Sequence, residues 1–166
     1  VLNVIPKNPI TKFNSQYSFQ IIIDIKAELK KEIEWKMIYI TSDNQNNDQI
    51  LSQYQISPPK QLGVMKFEFK GDAPSIEKIP DNDLLGSAAI VLCSSYNNKE
   101  YFRCGYFLNV YFEDEEMNIY LPEIIDANHL VRNLLADKPK IIIYDINWEE
   151  ENEKNDNNNE SSGECM

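Results

Sequence analysis

An all-β sandwich is the fold class this sequence predicts, and three observations carry it. Short runs rich in β-branched and aromatic residues recur along the chain, several with period-two alternation. Turn signals separate them, namely SDNQNND, SPPKQLG, GDAPS and SYNNKE. Only two stretches read as helical, and many short strands with few helices favour packed sheets over any helical layer architecture. In order, the expected strands are VLNVI (1–5), YSFQIIIDIK (17–26), IEWKMIYITS (33–42), DQILSQYQI (48–56), GVMKFEFK (63–70), GSAAIVLCSS (86–95), EYFRCGYFLNVYF (100–112) and KPKIIIYDINW (138–148). The first helical stretch is the short IPDNDLL turn. The second is DANHLVRNLLADKP, where Asp126 can cap a turn or two and Pro139 ends it.

The seventh strand has an unusual pattern. From Phe102 every second residue gives Phe102, Cys104, Tyr106, Leu108, Val110 and Phe112, the face of a core. The other parity gives Tyr101, Arg103, Gly105, Phe107, Asn109 and Tyr111. A strand sets these on opposite faces. The odd face mixes aromatic area, a cation and an amide. Aromatic cross-strand pairs that stiffen a sheet explain it in structural terms; a binding surface of Tyr, Phe and Arg explains it in functional ones.

A chain of 166 residues fits one domain, and 42% apolar residues suffice for its core. No apolar run approaches the roughly 20 residues of a membrane span. VLNVIPKNP lacks the charged start, long apolar middle and cleavage site of a signal peptide, so an intracellular protein is expected. Acidic residues outnumber basic ones by 27 to 16, for a net charge of −11. That balance argues against direct nucleic-acid binding, which needs a basic stripe. It suits a basic partner, and solubility alone is the other reading of it.

Cys93, Cys104 and Cys165 form no CxxC pair, and His129 is the only histidine, so no common structural metal site is expected. Cys93 and Cys104 lie in strand-like runs and read as small buried hydrophobes. Trp35 precedes both, whereas a secreted antibody-type domain places its tryptophan between two bridging cysteines. The sandwich is therefore held by packing alone. His129 has no serine or cysteine motif around it, the five glycines are scattered, and the carboxylates cluster in loops and tail. No constellation with defined catalytic roles exists, so an enzyme is not expected.

The composition divides the chain into a core at 1–149 and an acidic, Asn-rich tail at 150–166, which cannot repay its ordering entropy and is expected to be disordered. Ser161 and Ser162, between Glu160 and Glu164, are candidate targets of an acid-directed kinase. Asn159 heads a glycosylation pattern that the absence of a secretory signal discounts.

Six motifs occur in order: EIEWKMIYI, DQIL, DAPS, IPDNDLLG, EYFRCGYFLNVY, and LVRNLLADKPK leading to INW. Together, over nearly all of residues 1–149, they resemble the anti-silencing-function family of histone chaperones. The resemblance implies an elongated immunoglobulin-like β-sandwich with a variable acidic tail. It further implies a monomer that binds one dimer of the histones of the nucleosome's central tetramer, histone three and histone four. Such a protein acts in nucleosome assembly and disassembly, in the nucleus with a cytoplasmic pool, and uses no cofactor or covalent chemistry. A generic β-sandwich interaction domain with a solubilising tail is the alternative from another class.

Carried over residue by residue, the resemblance implies a histone-binding groove at Ile40, Asp48, Asp83, Ser87, Ala89, Val91, Arg103, Tyr106 and Phe107. Asp48 and Asp83 would meet basic histone side chains and Arg103 an acidic one. Tyr106 has the wrong parity for this face unless Gly105 introduces a bulge. The C-terminal segment of histone four would add as a strand near Pro139, Lys140, Ile141 and Ile142. A second site, for short basic peptides of downstream histone-deposition chaperones, matches Ile23, Lys31, Glu32, Tyr54 and Ile56. Three positions depart from the family's pattern. Ala89 replaces a valine, losing methyl groups worth about 0.8 kcal/mol each when buried; Lys140 replaces an arginine and loses bidentate geometry; Lys31 replaces an acid and opposes basic peptides.

Overall fold

The computed structural model describes residues 1–41 and 45–149. The proposed tail, with Ser161, Ser162, Asn159 and Cys165, lies outside the described residues. Ten strands form two sheets: β1 (Asn3–Pro6), β2 (Ile10–Lys12), β3 (Tyr17–Ile25), β4 (Ile33–Ile40), β5 (Gln49–Ile56), β6 (Gly63–Gly71), β7 (Gly86–Tyr96), β8 (Lys99–Phe112), β9 (Leu130–Leu134) and β10 (Lys140–Ile143). The smaller sheet has the order β1-β3-β6. The larger runs β2-β9-β8-β7-β4-β5, with β10 also paired to β8. All pairings are antiparallel.

Alternation builds the core between these sheets. In β3, Tyr17, Phe19, Ile21, Ile23 and Ile25 are buried at every second position; in β4 the inward set is Ile33, Trp35, Met37 and Tyr39. Trp35 sits at the centre, with Phe67 and Phe69 edge-on at 5.7 and 6.4 Å and Phe102 tilted against it at 5.9 Å. Such edge-to-face contacts add about 0.5–1.5 kcal/mol each beyond burial. Cys93 and Cys104 are buried and free, so no bridge joins them. The all-β sandwich expected from the strand pattern, immunoglobulin-like as the resemblance implied, is the fold observed.

Gly71, at the end of β6, shows how closely the layers meet. A Cβ there would lie 2.7 Å from Met37 Sδ, 3.2 Å from Ser52 Cβ and 3.3 Å from Leu51 Cβ. Leu51 is the extra residue of a bulge between Met37↔Ser52 and Ile38↔Ile50, so its backbone cannot slide away without disturbing the ladder. Gly71→Ala is expected to cost about 1–3 kcal/mol, read as a fall of several degrees in Tm.

The second helical expectation is corrected. Asp126 does cap a single 3-10 turn, Ala127–His129, accepting from Asn128 N at 2.9 Å. Leu130–Leu134 is then a strand, with Leu130, Arg132 and Leu134 all buried. Arg132 occupies an inward position, and a charge there breaks the period-two signal that identified the other strands. The IPDNDLL turn contains the expected helix, α1 (Asp81–Leu84). Besides β9, the three-residue β2, too short to show a period, and α2 (Glu115–Ile119), capped by Asp114, were not expected.

Candidate partner-binding surface

The outward side of β4, β7 and β8 is assembled by register. Ile40 pairs with Ala89 and Ala89 with Phe107, so these three form one row across the sheet. The next row is Ile38, Val91, Gly105 and Lys140, and the next is Lys36, Cys93, Arg103 and Ile142. Ala89, Val91, Arg103, Phe107, Lys140 and Ile142 surround a shallow, mostly apolar depression of about 180 Å³. Gly105 lines it too: a Cβ built there would meet Val91 Cγ2 at 3.7 Å and Lys140 O at 4.0 Å, ordinary contact distances. Phe107 is 44% exposed, large for a ring in mid-strand, and Lys140 Nζ lies 4.8 Å from its ring centroid. A cation at that distance is attracted to the ring face.

Arg103 is not free on this surface. Its Nε and Nη2 donate to Glu100 Oε1 at 3.2 and 3.1 Å. In a regular strand, residues three apart point to opposite faces. A bulge brings them together: Ser94 pairs with Phe102 and Ser95 with Glu100, leaving Tyr101 unpaired. Glu100 is thereby turned outward beside Arg103, and Tyr101 is turned toward the core, where it hydrogen-bonds the buried Ser94 hydroxyl and meets Trp148 at 4.9 Å. Tyr101 therefore leaves the odd face on which simple alternation put it, and Glu100 is a site residue that alternation missed. Burial works to lower the Arg103 pKa, but Cys93 and Glu100 outweigh it and hold the guanidinium above its usual value. Beneath, burial pushes the Cys93 thiol up to about 12.

Tyr106 also requires correction. The β7–β8 register is unbroken from Gly86↔Val110 to Ser94↔Phe102, so no bulge occurs at Gly105. The Tyr106 ring points into the core, stacked on Phe19 at 5.8 Å with its hydroxyl donating to Val4 O at 3.4 Å, although the residue still borders the depression.

Asp48 directly precedes Gln49, the partner of Tyr39, and Ser87 stands two residues before Ala89, so both lie toward the sheet end where β4 finishes and β7 begins. Ser87 donates to Asn109 Oδ1 at 3.3 Å. Asp83 lies in α1, half-buried. Asp48 Oδ1 is closed off from solvent and has no hydrogen-bond partner among the described residues, and this burial raises its carboxyl pKa. An ionised oxygen in that position is an acceptor without a donor, a costly arrangement that an incoming cation relieves.

The strand-addition residues lie beside the depression. β10 pairs with β8 through Lys140↔Gly105, Ile141↔Cys104 and Ile142↔Arg103, directly after Pro139. Its other edge carries no strand among the described residues, and Ile141, Ile142 and Ile143 are exposed. An unpaired, apolar edge strand is a template for another strand.

The second set of residues is divided. Ile23 and Ile56 are buried, whereas Tyr54 is exposed on β5, the edge strand of the large sheet, its ring 5.6 Å from Phe67. Glu32 is exposed, and Lys31 Nζ donates to Asn97 Oδ1 at 2.8 Å. Beside Ile56 a groove of about 470 Å³ opens, lined by Pro58, Pro59, Leu62, Val64 and Met65.

Among the described residues no cluster of His, Cys, Asp and Glu has a geometry that could hold a metal ion, and no helix is long and apolar enough to cross a membrane.

Residues 1–149 match the protein family described as ASF1 like histone chaperone. Among the most similar relatives is a protein of Candida albicans named Histone chaperone ASF1, 39% identical over 145 residues, which are 87% of this chain and 58% of the relative. Proteins of the same name from Yarrowia lipolytica (36% over 155 residues; 93% of this chain, 58% of the relative) and Saccharomyces cerevisiae (37% over 147; 88% and 52%) are similarly close. The chain thus spans somewhat over half the length of these relatives.

Proposed function

The chain belongs to the ASF1 like histone chaperone family, and from that premise we propose that it binds one dimer of the central-tetramer histones, histone three and histone four. Binding covers the surface through which two such dimers would join, so the chain blocks tetramer formation and hands the dimer on during nucleosome assembly and disassembly in the nucleus. It acts as a monomer, by shielding, without cofactor or covalent chemistry. The observation that carries this reading is the pair of rows Ile40–Ala89–Phe107 and Ile38–Val91–Gly105 bordered by the Arg103–Glu100 pair, an apolar stripe with a charge at its border on an otherwise acidic protein. Apolar centre and polar rim are the anatomy of a protein interface. The C-terminal segment of histone four adds to the free edge of β10, and basic peptides of downstream chaperones use the β5 edge around Tyr54 and Glu32.

The test is calorimetry and sedimentation with refolded central-tetramer histones. The expected result is one chain per histone dimer with the tetramer dispersed. Binding to the intact tetramer without dispersing it would overturn the shielding mechanism.

Asp48 gives a second check, in which stability and binding move in opposite directions. Because its pKa is raised in the fold, its contribution to stability is present at low pH and lost as pH rises through the raised value. Asp48→Asn is therefore expected to raise Tm slightly at neutral pH, while weakening histone binding about tenfold through the lost charge-assisted hydrogen bond. Thermal denaturation and calorimetry on the same variant measure both; weaker binding together with a lowered Tm would show that Asp48 is structural.

A further inference from the structure

Past the end of β8 the chain runs EDEEMNIYLPEIID from Glu113 to Asp126. Ile119, Tyr120, Leu121 and Ile124 are 72, 81, 62 and 86% exposed. Single exposed apolar residues need no explanation, but four large ones within six positions make a patch of the kind that marks interaction sites. The loop that carries them is tied down. Asn118 donates to Phe112 O at 2.9 Å and accepts from Phe112 N at 2.9 Å, Tyr120 N donates to Glu116 O at 2.8 Å, and Glu113 N donates to His129 O at 2.9 Å. Met117 and Ile125 pack against the core. The loop thus packs Met117 and Ile125 partly inward and holds Ile119, Tyr120, Leu121 and Ile124 outward.

Charge narrows the choice of partner. The stretch contains six carboxylates, Glu113, Asp114, Glu115, Glu116, Glu123 and Asp126, and no lysine or arginine. Lys12 reaches Glu113 at 3.7 Å and His129 reaches Asp126 at 3.9 Å. An anionic membrane or a nucleic acid is repelled here, and a second copy of the chain would set six acids against six. An amphipathic segment with apolar side chains flanked by Lys and Arg satisfies both the patch and its border.

We propose that the loop between β8 and β9 is a docking surface for a basic amphipathic segment of a protein partner, anchored on Ile119, Tyr120, Leu121 and Ile124. Phe112 stands five residues beyond Phe107 on β8, about 17 Å at the rise of an extended strand, and three beyond Asn109, the register partner of Ser87, about 10 Å. No groove, edge or peptide-site residue lies within residues 113–126, so this surface and the histone groove are available together. The inference stands on the patch itself and does not require the histone reading.

The experiment is an NMR titration of the full chain with a short amphipathic Leu/Lys peptide, alongside a Ser/Lys peptide of equal charge and a Leu/Glu peptide. The Leu/Lys peptide is expected to shift amides of residues 113–126 saturably. Binding should fall about tenfold or more with the Ser/Lys peptide and with an Ile119→Ser, Leu121→Ser, Ile124→Ser variant, the size of loss that removing anchor side chains produces. Glu115→Gln with Glu116→Gln should weaken it, while Arg103→Glu should leave it unchanged. These side chains are exposed, so the triple variant should keep its Tm. Shifts spread over other acidic surfaces, or equal in the triple variant, would overturn the proposal. So would a wild-type dimer in sedimentation that the triple variant disperses, which would make a second copy the occupant.

Discussion

Arg103→Glu is expected to weaken histone binding by about a hundredfold or more while leaving the fold almost as stable as before. Removing one partner of a desolvated charge pair at an interface typically costs 2–5 kcal/mol, and each 1.4 kcal/mol is about tenfold. Reversal adds repulsion from the partner's acid and from Glu100, whose carboxylate now lies 3.1 Å from the guanidinium. The stability change is small for two reasons. The Arg103 side chain is 42% exposed, and partly exposed ion pairs contribute about 0–1 kcal/mol to folding. Cys93 beneath it stays a neutral thiol, so the charge above is not needed to hold it. Calorimetry measures the first effect and thermal denaturation the second. Histone binding within a few-fold of the wild type would remove Arg103 from the interface; a large fall in Tm would mean that lost folding explains lost binding.

The same pair offers a finer measurement. In the free protein Glu100 occupies the guanidinium that a histone carboxylate must claim. Glu100→Gln removes that competitor, so its effect on binding should be opposite in sign to that of Arg103→Glu and much smaller, because exchange of one carboxylate for another is nearly balanced.

The alternation in EYFRCGYFLNVYF located a core face and an outward face correctly from Phe102 to Phe112, because a strict period of two has only one structural reading. It could not locate Tyr101 and Glu100. A bulge shifts the period by one residue, and its position here depends on a pairing with Ser94 and Ser95 that is not local in the sequence. The same limit hid Leu51. The resemblance supplied the residue list, and the geometry sorts it: Ile40, Ala89, Val91, Arg103 and Phe107 come together on one face, whereas the Tyr106 ring, Ile23 and Ile56 are core. The apolar loop at 119–124 escaped notice because nothing in its composition distinguishes an apolar residue that will be buried from one that will be held out.

β9 was missed for a reason that leads to the largest expected effect on stability. Arg132 is 2% exposed and has no carboxylate partner among the described residues. Its guanidinium donates to Phe13 O at 3.1 Å, to Ser15 O, and to Gln16 O at 3.1 Å, and lies 3.5 Å over the Tyr17 ring. One side chain on β9 therefore satisfies the carbonyls of the connection between β2 and β3, and the fork geometry of arginine is what reaches all three. Burial pulls its pKa below the usual guanidinium value and pushes Tyr17 up to about 12, so Tyr17 remains a neutral phenol beside it at physiological pH. Buried ion pairs can sometimes be replaced by apolar residues without loss, because both charged partners leave together. Here the acceptors are backbone and cannot leave. Arg132→Met should strand the buried Phe13 carbonyl and take the donor from the part-buried Ser15 and Gln16 carbonyls, and cost about 3–5 kcal/mol, lowering Tm by roughly 2–4 °C per kcal/mol in a chain of this size. Arg132→Lys keeps the charge but not the fork or the flat face against Tyr17, so an intermediate loss is expected. Denaturant unfolding of the three proteins orders them. An Arg132→Met variant as stable as the wild type would show that the connection finds water or new donors, and that the cation does not hold β2 and β3 to β9.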